Sequence, residues 1–280
     1  MRFFFYALES NCALYYKGAC TRCFSTYLQK KLTSGKSAIW AKAWAAEFFV
    51  ILPTKLYNMT EKEAIVARHS VRQYIEKPIE AEKIEELKAL IEECNREGGT
   101  HLQLVTNEPK AFASGMAKYG KFIGISNYIA VVGKKGDDVS LGYYGEKIVL
   151  CAQMLDLNTC WVGLSFSKQP DAYQVLEGEK LFCVISLGYG ANQGVQHRLK
   201  PISGFAEVNG PMPEWFRQGL EAAILAPTAV NQQKFRFLLH GGNKVEAQAR
   251  FSLIGYAKID LGIAKYHFEV GAGKDNFKWL

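Results

Sequence analysis

The chain has 280 residues, 49% of them hydrophobic and 13% aromatic, which is enough for one large core and too apolar for a disordered chain. Its formal net charge of +7 is unevenly spread: residues 1–58 carry eight Lys/Arg against two Asp/Glu, and the other 222 carry 26 against 25. The body of the protein is therefore nearly neutral, which argues against a broad nucleic-acid footprint on it, and no run of about 18 apolar residues reads as a membrane span.

The opening MRFFFYALESNCALYYKGACTRCF has the charge and apolar run of a signal peptide. The run is short, however, Glu9 interrupts it, and no small-residue cleavage site follows. SAIWAKAWAAEFFVIL reads as one helix, with Lys42 and Glu47 spoiling it as a membrane span. Cys20 and Cys23 form a C-x-x-C with no second pair at zinc spacing, so no metal site is read there. Seven scattered cysteines, with Cys151, Cys160 and Cys183 in apolar runs, fit a reducing, cytoplasmic setting. Thr60 and Glu63 then form a capping box, Thr-x-x-Glu, at a helix start. Met59 accordingly reads as the true initiator and residues 1–58 as a basic, aromatic extension from a mis-assigned start. A genuine targeting or membrane-surface arm is the alternative reading.

Residues 59–280 are expected to form one α+β domain. After the capped helix and a cationic turn, EAEKIEELKALIEECNRE places Ile84, Leu87, Leu90, Ile91 and Cys94 at helical spacing. HLQLVT alternates as a strand, and YIAVVG is a continuous apolar strand. GYYGEKIVLCAQMLDL reads as a long helix, apolar on most faces and so central, with TCWVG ending it. LFCVISLGYG is a further buried strand. The link NGPMPEW leads to the helix EWFRQGLEAAILA, the strand FRFLLHG and a last helix, YAKIDLGIAKYHFEVGAG. Helices and strands are interspersed without a strict βαβ rhythm, which predicts an α+β layer fold around one sheet. Helix then strand occurs twice in similar form, at residues 81–106 and 213–239, as an internally duplicated half-unit would show.

Two stretches carry chemistry. In ARHSVRQYIEKPI, Arg68, His69 and Arg72 flank Ser70. The arginines are solvated helix-end charges, partners of Glu76 or Glu80, or the grip on an anion, whose oxygens suit the planar guanidinium fork. In LAPTAVNQQKF a helix stops at Pro227, leaving Thr228, Asn231 and Gln233 on a loop. Their side chains either read the mixed donor and acceptor edge of a heterocycle or satisfy an ordinary polar turn. No Gly-x-Gly-x-x-Gly lies between a strand and a helix, so a resident dinucleotide domain is not expected.

Taken together, the two stretches resemble the FMN-dependent nitroreductase family. RHSVRQY…KPI is similar to its Arg-Arg-Ser-x-Arg opening, and APTAVNQQKF to its Ala-Pro-Ser-x-x-Asn-x-Gln-Pro-Trp loop. YYGEKIVLCAQMLDLNTCWVG resembles its central helix, and GIAKYHFEVGA also fits. The resemblance runs from about residue 60 to 273. It departs in order, because the intact loop lies about 150 residues after the arginine motif, and ECNREGGTHLQ stands where the family has it. This matches a branch in which one chain mimics the usual dimer. His69 replaces an arginine, making part of the clamp's charge conditional on pH; Asp156 and Asn158 replace small residues, and Lys234-Phe235 replaces Pro-Trp. The resemblance implies a nitroreductase-like fold with a mostly antiparallel central sheet. It further implies that Arg68, Ser70 and Arg72, with His69 nearby, hold the FMN phosphate and ribityl chain, and Arg198 or Lys200 adds a contact. Asn231 and Gln233 would meet the isoalloxazine, Pro227 and Thr228 would shape that wall, and the backbone at Gly163 and Leu164 would lie near the ring. The implied reaction passes hydride from a visiting NAD(P)H through the flavin to nitroaromatics, quinones or similar small acceptors, with no metal and no dedicated catalytic side chain. A monomer acting as a pseudo-dimer, or a homodimer, is expected. A flavin store or sensor, and a non-flavin anion-binding module, are the alternatives.

Overall fold

The computed structural model describes residues 59–280; the expectations for Cys20, Cys23 and the rest of residues 1–58 lie outside the described residues. Thr60 caps the first helix, α1 (Glu61–Ala67), and the capping box is complete: its hydroxyl accepts from the Glu63 N–H while the Glu63 carboxylate accepts from the Thr60 N–H. α2 (Ala81–Gly98) buries Leu87, Ile91 and Cys94 and stops at Gly99, whose φ of 62° is the left-handed conformation that favours glycine at a helix end.

The first sheet comprises β1 (His101–Val105), β2 (Asn127–Lys134), β3 (Asn158–Val162) and β4 (Glu179–Gly188), in the order β1-β2-β4-β3, all antiparallel. Both faces are covered, which explains the unbroken apolar run in β2. Ile129 and Val131 point into the main core with the helices. Tyr128, Ala130 and Val132 point into a smaller core with Phe112, Phe122 and α3 (Gly115–Tyr119). α4 (Asp138–Met154) is buried along most of its length, as its apolar pattern predicts. It ends sooner than the sequence suggests. Asp156 takes φ 61°, the chain reverses, and the TCWVG stretch expected to close the helix is mostly strand β3.

The second sheet is separate, so the expectation of one sheet is corrected to two. β5 (Ala206–Val208), β6 (Phe235–His240), β7 (Lys244–Ala249) and β8 (Lys278–Trp279) lie in that order, with β6 and β7 antiparallel and the outer pairs parallel. β5 follows the first sheet in sequence yet pairs with the second. Phe235, Phe237 and Val245 face inward against α5 (Glu214–Ala223) and α6 (Ala257–Ala272), and Phe237 stacks on Phe268 at 4.5 Å between ring centroids. Each such fully buried ring contributes roughly 1.5–3 kcal/mol.

α4 and α6 cross at the centre of the described domain through glycines. A Cβ on Gly142 would stand 2.1 Å from the Ile259 carbonyl oxygen, and one on Gly262 would stand 2.1 Å from the Val139 carbonyl oxygen. Each glycine meets the backbone three residues before the other, which is the reciprocity of a two-fold contact. β8 follows α6 as β3 follows α4, and α5–β6 repeats the order of α2–β1.

Candidate functional site

α1 ends at Arg68, where the backbone becomes extended and runs along the open edge of β3. Ser70 bridges Thr159 in parallel and the Val71 N–H donates to the Thr159 carbonyl at 3.0 Å, so the cationic turn extends the first sheet by one edge. Val71 and Tyr74 anchor it in the smaller core, the Tyr74 hydroxyl lying 2.8 Å from the Ser186 hydroxyl. The turn is therefore held by backbone pairing and two apolar anchors, and its arginines are not needed to fix it.

Arg68 is only 3% exposed and its side chain forms no hydrogen bond among the described residues; its Nε stands 3.7 Å from Glu146 Oε1 and is a buried donor without a partner there. Burial disfavours its charge and Glu146 opposes that effect. Glu146, fully buried in α4, is hydrogen-bonded elsewhere: Trp161 Nε1 donates to Oε2 at 2.8 Å, and His267 Nε2 lies 2.9 Å from Oε1. Cys160 lies alongside, its thiol donating to the Trp161 carbonyl at 3.5 Å; burial pushes its pKa up, with Arg72, Ser70 and Arg68 opposing. Arg72 is exposed, 5.8 Å from the Phe122 ring centroid, and has no ion-pair partner among the described residues. His69 is pushed below its ordinary pKa by burial and then by Arg68, so its charge is absent at neutral pH.

Residues 197–200 and 227–233 form one cluster. The Arg198 carbonyl accepts from Asn231 Nδ2 at 3.0 Å and from Gln233 Nε2 at 2.8 Å. Gln233 Nε2 also donates to Asn231 Oδ1 at 2.6 Å, and its Oε1 accepts from the Lys200 N–H. Lys200 Nζ donates to the Gln232 carbonyl at 2.7 Å. Both amide protons of Gln233 are thus used inside the protein, and Asn231 keeps one amide proton. The Thr228 hydroxyl accepts from the Gln233 N–H at 3.0 Å, and Pro227 is buried. Val230, Asn231 and Gln233 hold φ of 45°, 54° and 49°, a concentration of left-handed non-glycine backbone that costs on the order of 1–3 kcal/mol per residue.

Asp260 of α6 over-determines that strained loop. Its Oδ1 accepts from the Ala229 N–H at 3.0 Å and its Oδ2 from Gln232 Nε2 at 2.7 Å, while burial pushes its carboxyl up to about 6. A raised acid pKa favours the folded state below the unfolded value near 3.9, and that stability is lost as pH rises through 6. Between pH 4 and 7 the unfolding free energy of Asp260→Asn is expected to lack a decline on the order of 2–3 kcal/mol present in the parent chain. Urea titrations of both proteins at several pH values measure it, and parallel pH profiles would refute the assignment.

The segment 190–201 joins the two clusters. At one end the Ala191 N–H donates to the Gln73 carbonyl, and a Cβ on Gly194 would stand 2.9 Å from both the His69 Cβ and the Ser70 carbonyl oxygen. At the other end lie Arg198 and Lys200. Between them His197 Nε2 meets the Ile224 carbonyl at 3.0 Å, and His197 is pushed below its ordinary pKa by burial, with Arg68, His69 and His267 acting in the same direction. A second route runs through the core, where His267 Nδ1 meets the Ala222 carbonyl at the end of α5, shortly before Pro227.

The fold therefore brings Arg68, His69 and Ser70 to one edge and Arg198, Lys200, Thr228, Asn231 and Gln233 to another, tied by one segment. Gly163 lies at the end of β3, where its carbonyl accepts from Tyr256 and a Cβ would strike that ring at 2.9 Å; Leu164 is largely exposed. Sequence reasoning missed Glu146, Trp161, His197, Asp260 and His267. The signal that existed for Glu146, Asp260 and His267 was a lone polar residue within an otherwise apolar helix. An open cleft of about 650 Å³ lies elsewhere, between α1, α4 and the end of α6, and is lined by none of the predicted residues. Its main polar groups are satisfied internally: Tyr266 donates to Glu61, Tyr143 to Glu269 and Lys147 to Glu93. Arg68 is not satisfied, so chemistry rather than volume marks the site.

A family model described as "Putative TM nitroreductase" matches residues 60–272. Among solved structures, a "putative nitroreductase" from Thermotoga maritima MSB8 is 25% identical over 78% of this chain and 86% of that one, with a TM-score of 0.56. An FMN-dependent nitroreductase from Clostridium difficile R20291 is 17% identical over 46% of this chain and 88% of that one, with a TM-score of 0.37. A nitroreductase from B. subtilis is 15% identical over 52% and 73%, with a TM-score of 0.42. No curated protein matches significantly.

Proposed function

Because the chain belongs to the nitroreductase family whose model spans residues 60–272, we propose that this oxidoreductase uses FMN to pass hydride from NAD(P)H to a small electron-poor acceptor, such as a nitroaromatic or a quinone. One observation carries the flavin part of this reading: a buried guanidinium with no hydrogen bond. Leaving a charged group buried and unsatisfied costs several kcal/mol, and a phosphate supplies the acceptors that Arg68 lacks.

In this reading Arg68 and Arg72 hold the phosphate, one from within and one from the surface, and the Ser70 hydroxyl adds a donor. Lys200 and Gln233 build and brace the opposite wall. Contact with the ring then falls to the free amide proton of Asn231 and to the backbone of residues 227–233, with Gly163 and Leu164 beside it. Bound FMN supplies the hydride-carrying chemistry; the chain's own task is to orient it and set its electrostatic surroundings. NAD(P)H is a visiting substrate, since no dinucleotide motif is present in the sequence. Clamp and loop come from one chain, which supports a monomer acting as a pseudo-dimer, and a cytoplasmic setting fits the buried cysteines Cys94, Cys160 and Cys183, which are not in disulfides.

The test is a fluorescence titration of the purified full chain with FMN and with riboflavin, which lacks the phosphate. FMN is expected to bind roughly 10–100-fold more tightly, the worth of one or two charge-assisted hydrogen bonds. Anaerobic NADH or NADPH is then expected to bleach the bound flavin. Equal affinities would remove the phosphate clamp, and binding without bleaching would leave a flavin store.

A further inference from the structure

The reading of Arg68 as a phosphate ligand leaves a problem, on whose solution this inference rests. A buried arginine 3.7 Å from a buried carboxylate should close on it and form a two-pronged salt bridge, using up the donors a phosphate needs. It does not close: Glu146 is held at both oxygens, which fixes the direction of the carboxylate, and in that orientation it stands off from Nε. His267 takes Oε1 at 2.9 Å and Trp161 takes Oε2 at 2.8 Å. Both ring nitrogens of His267 face oxygen atoms, the Ala222 carbonyl at 3.1 Å and Glu146, so the ring is held from two sides. The carboxylate and its neighbours are well covered: Glu146 at 0%, His267 at 0% and Arg68 at 3% exposure, with Trp161 half-buried.

We infer that His267 and Trp161 are positioning residues for the clamp. They fix the orientation of Glu146 so that it stands beside Arg68 without closing on it and leaves the guanidinium donors free for an anion. Glu146, Trp161 and Arg68 lie in the first half of the domain, and His267 lies on α6 in the second. The second half therefore governs phosphate binding through a residue that does not touch the phosphate. Neither residue belongs to the arginine motif or to the Asn-x-Gln loop, and the role depends on where the two central helices bring them. It also accounts for a buried polar cluster in the core, which well-packed apolar residues could replace without loss of stability.

Removing either partner lets the Glu146 carboxylate turn towards Arg68 and close on it. His267→Phe and Trp161→Phe are two independent ways to do so, and the second stands if the first does not fold. For each folded variant the measured quantity is the ratio of riboflavin to FMN dissociation constants, by fluorescence titration of the full chain. The ratio is expected to fall roughly tenfold, the worth of one charge-assisted hydrogen bond, with riboflavin affinity itself unchanged. His267→Gln, which still offers an N–H to Oε1, is expected to keep most of the preference. If His267→Phe and Trp161→Phe both retain the parent ratio while Arg68→Met abolishes it, the positioning role is wrong and the phosphate clamp stands. If His267→Gln falls as far as His267→Phe, the hydrogen bond is not the cause and the proposal fails. If the parent chain shows no preference for FMN over riboflavin, the clamp itself is wrong.

Discussion

Gly142→Ala and Gly262→Ala are each expected to lower the unfolding free energy by about 3 kcal/mol or more, measured by urea denaturation. In an open helix, alanine is better than glycine by about 1 kcal/mol, so the sign itself is the test. Here the added methyl meets a backbone carbonyl oxygen at 2.1 Å on either side of the crossing. No side chain can rotate away, and relief requires α4 and α6 to separate. That separation loosens the packing in which Leu141, Ile148, Ile263 and Phe268 take part. The double variant is expected to cost less than the two single costs combined, because the first shift already makes room for the second methyl. A gain in stability from either alanine would show that the helices do not approach this closely.

Arg68→Met is expected to weaken both the free protein and its hold on flavin. Without ligand, the substitution leaves the buried Glu146 carboxylate without its cationic neighbour, and removing one partner of a buried ion pair costs up to about 3–5 kcal/mol. With FMN, it also removes donors to the phosphate and weakens binding by about 1.5–3 kcal/mol. The thermal midpoint of the apo-protein should therefore fall, and the further shift produced by saturating FMN should shrink as well. Arg72→Ala is the contrast: Arg72 is exposed, so apo-stability should stay within about 0.5 kcal/mol while FMN affinity falls. Unchanged apo-stability in Arg68→Met would show that the Arg68–Glu146 pair is not structural, and an undiminished shift with FMN would remove Arg68 from the phosphate clamp.

The elements most legible in the sequence were those with strong periodicity or a local signature. The Thr60 and Glu63 capping box, the helical spacing of Leu87, Ile91 and Cys94, and the apolar runs of β2 and β4 all led to the right element. β3 was read as the end of a helix because Asn158–Val162 is apolar and follows α4 with no glycine or proline between. The break is made by Asp156 in the left-handed conformation, which acidic side chains adopt without announcing it. β7 (KVEAQA) and β8 lack a strand-like composition and exist because β6 offers an edge and β7 offers the next. At the site, the arginines and the Asn-x-Gln loop were visible as chemistry, but the fate of their hydrogen bonds was not. The Gln233 amide protons go to Arg198 and Asn231, and that depends on a segment more than thirty residues away closing over the loop. Glu146 and His267 were passed over as helix residues because the partner of each lies on the other central helix.

The segment 190–201 behaves as a strap buckled at both ends, by Gln73 at one and by Asn231 and Gln233 at the other, and it continues into β5 on the second sheet. It is also fastened along its middle, where Asn158 holds Gly190 and Gln193 and His197 meets the Ile224 carbonyl. A short tether fixed at several points limits how far the two rims can part, so the span offered to a ligand is bounded by the length of the chain itself.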